Sequence, residues 1–228
     1  MAYVFPPQPQ PAVPVLGCDE LFPVRRIFCV GQNYAAHARE MGGDPARQPP
    51  CFFTKPTDSI VAGGGAVPYP PGTANLHHEI ELVIALGRGG SNLESNQALD
   101  YIFGYAAGLD LTRRDLQSTA KAAGQPWDMA KGFDNSAPLS AISPAAGTIH
   151  PVKGGIWLTV NGKLRQNGDI ADMIWTIPEI IAHLSRLVTL AAGDLIFTGT
   201  PSGVGAVVIG DRIEGVIDGV GTISVTIV

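Results

Sequence analysis

The sequence predicts an α+β fold dominated by strands, with a few helices among them. Three observations support this fold class. Apolar residues recur at every second position in several short segments, which is the period of a β-strand. The 28 glycines and 19 prolines are scattered without a period, as in a chain with many turns. One segment, starting at Thr176, has the cap and the apolar stripe of a long amphipathic helix.

The predicted elements follow in chain order after a proline-rich arm at residues 1–20; residues 21–228 form one domain. In the first half of the domain we expect strands at 26–30, 52–54, 60–61, 77–87 and 102–111, a short helix at 34–41, a loop at 41–50 and a polar helix at 112–123. In the second half we expect a hairpin of 156–160 and 164–166 around Asn161-Gly162, a helix from 176 to 188, and several strands from 194–197 onward.

Composition excludes several classes of protein. The net charge of −5 and the lack of a basic run argue against a nucleic-acid partner. No apolar stretch approaches the roughly 20 residues that cross a bilayer. The three cysteines, Cys18, Cys29 and Cys51, are odd in number and form no C-x-x-C pair, which favours reduced thiols. The first residues lack the positive segment of a signal peptide, and we expect a cytoplasmic protein.

Two glutamates in the strand at 77–87 indicate a metal site. Glu79 and Glu81 are two apart, so both carboxylates leave the same face of the strand, while Ile and Leu fill the other face. Two ordinary surface glutamates would show the same spacing. Asp110, at the end of the apolar strand 102–111, favours the metal, because oxygen-only ligands suit Mg²⁺ or Mn²⁺. His78 points to the opposite face and is left outside the ligand set.

Other polar residues can serve a reaction at this metal. His37 and Glu40 are three apart on the first helix, where a carboxylate can orient an imidazole as a general base. Arg114 and Gln117 share a face of the polar helix and can reach a substrate carboxylate together, whereas Arg113 is expected to be a solvated surface charge. Lys131 can face developing negative charge. The glycine-rich turn after 194–197 offers Thr200 and backbone N–H groups to a small anion.

From residue 26 to the end, the chain resembles the fumarylacetoacetate hydrolase family. The matching segments occur in family order and can be listed as Val30-Gly31-Gln32-Asn33-Tyr34 with His37 and Glu40, His78-Glu79-Ile80-Glu81-Leu82, Gly108 to Asp115, Lys131-Gly132-Phe133-Asp134, the Asn161-Gly162 hairpin with Gln166, and Thr198 to Gly205. The resemblance implies a mixed β-sandwich roll and a homodimer, with Mg²⁺ or Mn²⁺ on the three carboxylates.

The same resemblance implies roles for the remaining residues. His37 and Glu40 become a water-activating dyad on a helix that closes over bound substrate, and Lys131 stabilises oxyanion or enolate charge. Arg114, Gln117 and Thr200 hold the pyruvyl end of the substrate. Nothing is implied for residues 1–20, which lie outside the shared region.

The resemblance is strongest to bacterial fumarylpyruvate hydrolases of aromatic, gentisate-type catabolism. We therefore expect hydrolysis of the C–C bond of a 3-acylpyruvate, with fumarylpyruvate as the substrate and fumarate and pyruvate as the products. The same site would also suit acetylpyruvate hydrolysis, oxaloacetate decarboxylation or isomerisation of a 2-hydroxydienoate. A non-catalytic dicarboxylate-binding protein is a more distant alternative. Arg39, Arg47 and Lys55 are candidate partners for the distal carboxylate of a 2-keto diacid.

Overall fold

The computed structural model describes residues 2–42, 48–147 and 149–228. Within these residues it confirms the strand-dominated α+β class. Residues 43–47 of the predicted loop 41–50 lie outside the described part of the chain. None of the helices in the described part is long and apolar enough to cross a bilayer.

Short strands make up most of the regular structure. Across the described ranges they are β1 (Ala12–Pro14), β2 (Leu21–Pro23), β3 (Arg26–Gly31), β4 (Cys51–Lys55), β5 (Ile60–Ala62), β6 (Gly65–Val67), β7 (Leu76–His78), β8 (Ile80–Leu86), β9 (Ile102–Leu109), β10 (Thr112–Arg113), β11 (Ala137–Leu139), β12 (Ser143–Pro144), β13 (Gly155–Val160), β14 (Lys163–Asp169), β15 (Asp194–Phe197), β16 (Gly205–Val207), β17 (Arg212–Ile217) and β18 (Gly221–Ile227).

The helices connect or cover these strands. They are α1 (Ala35–Glu40), α2 (Arg114–Ala122), α3 (Asp128–Lys131) and α4 (Ile177–Leu187), with 3₁₀ segments at Thr57–Ser59, Ser95–Tyr101 and Ile170–Asp172. In α4 the predicted cap is present, because Glu179 Oε2 accepts a hydrogen bond of 3.0 Å from the backbone N–H of Thr176. The predicted hairpin turn is also present, with φ of 52° at Asn161 and 72° at Gly162, the two positive values that a type I′ turn requires.

Two main sheets organise the chain. The larger has the order β4-β3-β15-β8-β9-β11-β5, with β12 paired to β9. It is mixed, because β3 runs parallel to β15 whereas β8 is antiparallel to both of its neighbours. The second sheet has the order β14-β13-β17-β18-β6, and a small sheet joins β10, β7 and β16.

The larger sheet is buried on both faces, which explains the apolar character of β8. On one face Ile80, Leu82 and Ile84 pack in a core shared with the second sheet and α4. On the other face Val83 and Ala85 pack in a second core, with Phe197 of β15. Glu79 and Glu81 have the same parity as Val83 and Ala85, so they continue this second face beyond its last apolar side chain.

Two predicted boundaries are wrong, and both errors lie beside the glutamates. The strand predicted at 77–87 is divided at Glu79 into β7 and β8, which belong to different sheets. The polar helix predicted from 112 begins at Arg114, because Thr112 and Arg113 pair with His77 and Leu76 as β10. In both cases pairing with distant strands overrides the local pattern.

The end of the predicted N-terminal arm pairs with the start of the predicted domain. Strand β1 is antiparallel to β2, and the side chain of Val13 is fully buried in the second core. Nearer the start of the chain, Tyr3, Val4 and Phe5 are exposed.

Candidate metal centre and active site

Three carboxylates meet where β8 begins and β9 ends. Asp110 lies directly opposite Glu79, since its backbone N–H donates to the Glu79 carbonyl at 2.9 Å. Glu81 pairs with Gly108 in the ladder of β8 and β9. One oxygen from each of Glu79, Glu81 and Asp110 lies within 4.8 Å of the others, and all three residues are buried. The structure thus brings together the three side chains that the sequence predicts as metal ligands.

The carboxylates differ in their partners. Glu79 accepts hydrogen bonds from Arg114 Nη2 and, at 2.8 Å, from Lys131 Nζ. Asp110 Oδ2 lies 2.5 Å from the same lysine nitrogen. Glu81 Oε2 accepts a bond of 2.7 Å from the backbone N–H of Gly199.

Gly199 can make this contact only because it has no side chain. Its φ is +98°, and a Cβ at this position would lie 2.7 Å from the Cβ of Asn33. The glycine-rich turn after β15 therefore supplies a backbone donor to the acidic cluster, and its binding of a small anion stays a prediction.

The donor set fits a divalent cation. Asp110 Oδ1 is buried and accepts no hydrogen bond from the described residues; Lys55 Nζ lies 2.8 Å away, as an ion-pair contact. Burial raises the pKa of Glu81 well above its usual range, and the nearby Asp110 and Glu79 carboxylates raise it further. A hard cation between the three carboxylates would relieve this repulsion, and it would compete with Lys55 for Asp110 Oδ1. Glu79, Glu81 and Asp110 are thus suited to bind Mg²⁺ or Mn²⁺ with oxygen ligands alone.

Lys131 is the cation most deeply engaged with these carboxylates. It ends the one-turn helix α3, and besides Glu79 and Asp110 its Nζ contacts Thr112 Oγ1 at 2.7 Å. Burial alone would lower the pKa of Lys131, but Asp110 and Glu79 outweigh burial and raise it. The same proximity outweighs the effect of burial on Glu79, whose pKa Lys131 and Arg114 lower. The ammonium therefore stays charged, with all three of its N–H donors engaged.

His37 and Glu40 form the predicted pair on α1. His37 Nδ1 lies 3.1 Å from Glu40 Oε2, and the imidazole is buried. The Glu40 carboxylate also accepts from the backbone N–H of Gly203, at 3.0 and 3.2 Å to its two oxygens. His37 lines the same pocket as the three carboxylates. Because Glu40 engages Nδ1, the ring leaves Nε2 available for proton transfer.

Arg114 and Gln117 share one face of α2, as predicted, but they are already paired with protein groups. Arg114 donates to Gln117 Oε1 and to Glu79, and its Nε contacts His77 Nδ1 at 3.3 Å. His77 must be neutral to accept this bond. Burial lowers its pKa to about 4, and the positive charge of Arg114 contributes. Both Arg114 and Gln117 border the pocket.

Thr200 also borders the pocket, but its hydroxyl has protein partners. It donates to the Ile80 carbonyl at 2.7 Å and accepts from Gln166 Nε2 at 2.8 Å. Gln166 Oε1 contacts His78 Nδ1 at 2.9 Å, so His78 turns toward β14. Gln166 and His78 therefore brace the strand that carries the glutamates.

Lys55 has a part in the site that its sequence context did not predict. We proposed it as a partner for a distal substrate carboxylate, but its ammonium is buried and contacts Asp110 and the carbonyls of Leu111 and Lys131. The Lys55-Pro56 segment gave no signal for this, because the contact depends on β4 pairing with β3 beside the cluster. Asn33 was also missed: it is fully buried and bonds Trp175 and the Thr198 carbonyl.

Three other arginines were given roles from the sequence, and two of them, Arg113 and Arg39, lie in the described part of the chain. Arg113 is not a solvated surface charge, because its guanidinium lies 4.5 Å from the centre of the Phe133 ring. Arg39, proposed as a distal-carboxylate partner, borders a separate cavity on the other side of α1 with Tyr34 and Asp172. Arg47 lies outside the described residues.

Several known proteins are similar to this chain in sequence and in fold. The family described as fumarylacetoacetate (FAA) hydrolase C-terminal matches residues 26–228. The chain is 46% identical to an oxaloacetate tautomerase of Rattus norvegicus over 196 residues, 86% of this chain and 88% of that protein. It is 47% identical to a fumarylpyruvate hydrolase of a Ralstonia species over 176 residues, 77% of this chain and 91% of the relative.

A solved structure extends the likeness to the whole chain. It is that of a fumarylpyruvate hydrolase from Pseudomonas aeruginosa in complex with Mn²⁺ and pyruvate. It is 48% identical, has a TM-score of 0.97, and the match covers 100% of this chain and 99% of that one. The family match spans most of the chain, and both relatives exceed 45% identity. The chain therefore belongs to the fumarylacetoacetate hydrolase family.

Proposed function

We propose that the protein hydrolyses the C–C bond of a 3-acylpyruvate, with fumarylpyruvate as substrate and fumarate and pyruvate as products. The observation that carries this proposal is the position of the His37–Glu40 pair in the same pocket as the three carboxylates. Carboxylates alone would serve metal binding, whereas a buried imidazole oriented by a carboxylate adds a base for water. The likeness to a fumarylpyruvate hydrolase solved with Mn²⁺ and pyruvate supports the choice of substrate.

Glu79, Glu81 and Asp110 would hold the cation, which supplies Lewis-acid polarisation of substrate oxygens when bound. His37 takes a proton from water at Nε2, and Glu40 stabilises the imidazolium through Nδ1. The water oxygen adds to the distal acyl carbonyl and ends in the carboxylic acid product. The bond between the acyl carbon and C3 then breaks, its electron pair passes to the pyruvyl fragment as an enolate, and protonation at C3 gives pyruvate.

Lys131 is our candidate for stabilising the oxyanion or the enolate. Its three donors are engaged by Glu79, Asp110 and Thr112, so contact with substrate requires the exchange of one of these bonds. Arg114 and Gln117 are candidates for the pyruvyl carboxylate, and Thr200 serves the same end of the pocket. We still predict that the protein is a homodimer and that it is located in the cytoplasm.

The test is the loss of enol absorbance from fumarylpyruvate, acetylpyruvate and oxaloacetate, each with Mn²⁺ or Mg²⁺ and again after EDTA. We expect metal-dependent loss fastest with fumarylpyruvate, with fumarate and pyruvate formed in equal amounts. Turnover that survives EDTA would contradict the metal site. Faster turnover of acetylpyruvate would move the proposal to that substrate.

Oxaloacetate tautomerisation is the second candidate, because a relative that carries this activity in its name is 46% identical over most of both chains. Moving a proton between carbon and oxygen needs a base, and no water has to attack. In the same assay this activity would appear as interconversion of enol and keto oxaloacetate without formation of pyruvate.

A further inference from the structure

The active-site pocket contains a cation that the acidic cluster does not neutralise. Among the described residues that line it, the lysines and arginines are Arg114, Lys121 and Lys131. Arg114 and Lys131 form ion pairs with Glu79 or Asp110. Lys121 instead donates a 2.9 Å hydrogen bond to the carbonyl oxygen of Met41, a neutral group. Its positive charge therefore has no carboxylate partner in the described part of the chain.

Lys121 lies at the opposite end of the pocket from the carboxylates. It is seven residues after Arg114 in α2, so both side chains lie on one face of the helix, two turns apart. At 1.5 Å per residue, their Cα atoms are about 10 Å apart. Arg114 is buried at the Glu79 end, whereas Lys121 is exposed at the mouth. A substrate between them would have its two ends near different cations.

Part of the pocket wall is apolar. Phe53, Trp127 and Val30 border the same pocket, and the ring centres of Phe53 and Trp127 are 6.0 Å apart. This surface suits the uncharged middle of an extended, unsaturated chain better than a second charge.

We infer that Lys121 binds the distal carboxylate of the substrate and thereby makes the enzyme prefer long dicarboxylic acylpyruvates. This inference rests on the proposed function, which places the pyruvyl end beside Arg114. The carboxyl carbons of extended fumarylpyruvate are six bonds apart, about 7 Å at the ~3.5 Å that three backbone-like bonds span. Those of oxaloacetate are three bonds apart, about 3.5 Å by the same measure, too short to engage both ends of the pocket.

The hydrogen bond from Lys121 to Met41 links binding of the distal carboxylate to helix α1. Met41 caps α1, the helix of His37 and Glu40. A substrate carboxylate would compete with, or add to, the neutral carbonyl as acceptor, and a charged acceptor makes the stronger hydrogen bond. Lys121 is thus a specificity residue at the junction of α1 and α2.

The experiment compares kcat/KM for fumarylpyruvate with that for acetylpyruvate, which has a methyl group in place of the distal carboxylate arm, in the Mn²⁺-loaded enzyme. We expect Lys121→Gln to lower the ratio of the two values by about 10- to 100-fold, the size of losing one charge-assisted hydrogen bond. Lys121→Arg keeps the charge and should retain most of the ratio. Lys163→Gln, at an exposed lysine of the Asn161-Gly162 hairpin, is the matched control and should leave the ratio unchanged.

An unchanged ratio in Lys121→Gln would overturn the inference. The ratio also stays unchanged if kcat/KM falls equally for both substrates, and such a fall would mean that the lysine acts through Met41 and the position of α1. A wild-type enzyme that prefers acetylpyruvate would overturn it as well. Failure of the proposed function is seen separately, in the wild-type protein alone, as the absence of Mn²⁺-dependent cleavage of either acylpyruvate.

Discussion

Replacing Lys55 with methionine tests how the acidic cluster is balanced. The side chain of Lys55 is fully buried, and its Nζ lies 2.8 Å from Asp110 Oδ1. The same nitrogen donates to the carbonyls of Leu111 and Lys131. Methionine has a similar length and suits a buried position, so Lys55→Met removes the charge and the donors with little change in volume.

The expected loss of stability follows from these contacts. Removing one partner of a buried ion pair costs about 3–5 kcal/mol, because the remaining charge is left uncompensated. Asp110 keeps Lys131 as a second partner at 2.5 Å, so we expect the lower part of this range, about 3 kcal/mol. For a chain of this size, that lowers Tm by roughly 6–12 °C.

The assay is thermal unfolding in EDTA and in saturating Mn²⁺, with Lys163→Met as the exposed control. In EDTA the control should stay within about 0.5 kcal/mol of wild type. Mn²⁺ should raise the Tm of Lys55→Met more than that of wild type, because a cation on Asp110 then meets no lysine 2.8 Å away. An equal Mn²⁺ shift in both proteins would refute the idea that Lys55 and the metal compete for Asp110.

Three further predictions concern the ligands, the base and the pH dependence. Glu81→Gln should keep or raise Tm in EDTA, because burial and the neighbouring carboxylates already favour the neutral side chain. The variant should lose most of the rise in Tm that Mn²⁺ causes, and an undiminished rise would exclude Glu81 as a ligand. His37→Asn should lower kcat on fumarylpyruvate by about 10²–10⁴-fold while calorimetry shows unchanged Mn²⁺ affinity; an unchanged kcat would contradict its assignment as base. The pKa of His77 is lowered to about 4 from 6.5, so between these pH values the unfolded chain binds more protons than the folded one. Stability should therefore fall as pH drops from 6.5 toward 4. His77→Gln should flatten this part of the Tm–pH curve, and an unaltered slope would mean that another group causes it.

The sequence predicted the acidic cluster well because strand geometry fixes it. The spacing of Glu79 and Glu81 places both carboxylates on one face. Asp110 follows an apolar strand, where a charged side chain needs a partner. The cluster then requires only that the two strands be neighbours in register, which they are. Helix α4 was predictable because its capping box and its apolar stripe are both local features of the sequence.

Other features depend on contacts between distant segments and could not be predicted. The interruption of the strand at Glu79 follows from pairing of β7 with β16, more than a hundred residues later. The contacts of Lys55 with Asp110 and of Arg114 with Glu79 also join segments that are far apart in sequence. A lysine or arginine in sequence looks the same whether it faces solvent, a substrate or a carboxylate, so spacing alone could not assign them.

The anchoring of α1 has a consequence for the order in which the site is completed during synthesis. This helix has six residues, too few to be stable by itself. Tyr34 at its start pairs with Met173, and Glu40 at its end accepts from Gly203. A nascent or truncated chain that stops before residue 203 would contain every carboxylate of the cluster and His37, but nothing to fix the carboxylate that orients the imidazole. During synthesis, the orientation of His37 by Glu40 therefore depends on a segment that is 163 residues later in the chain.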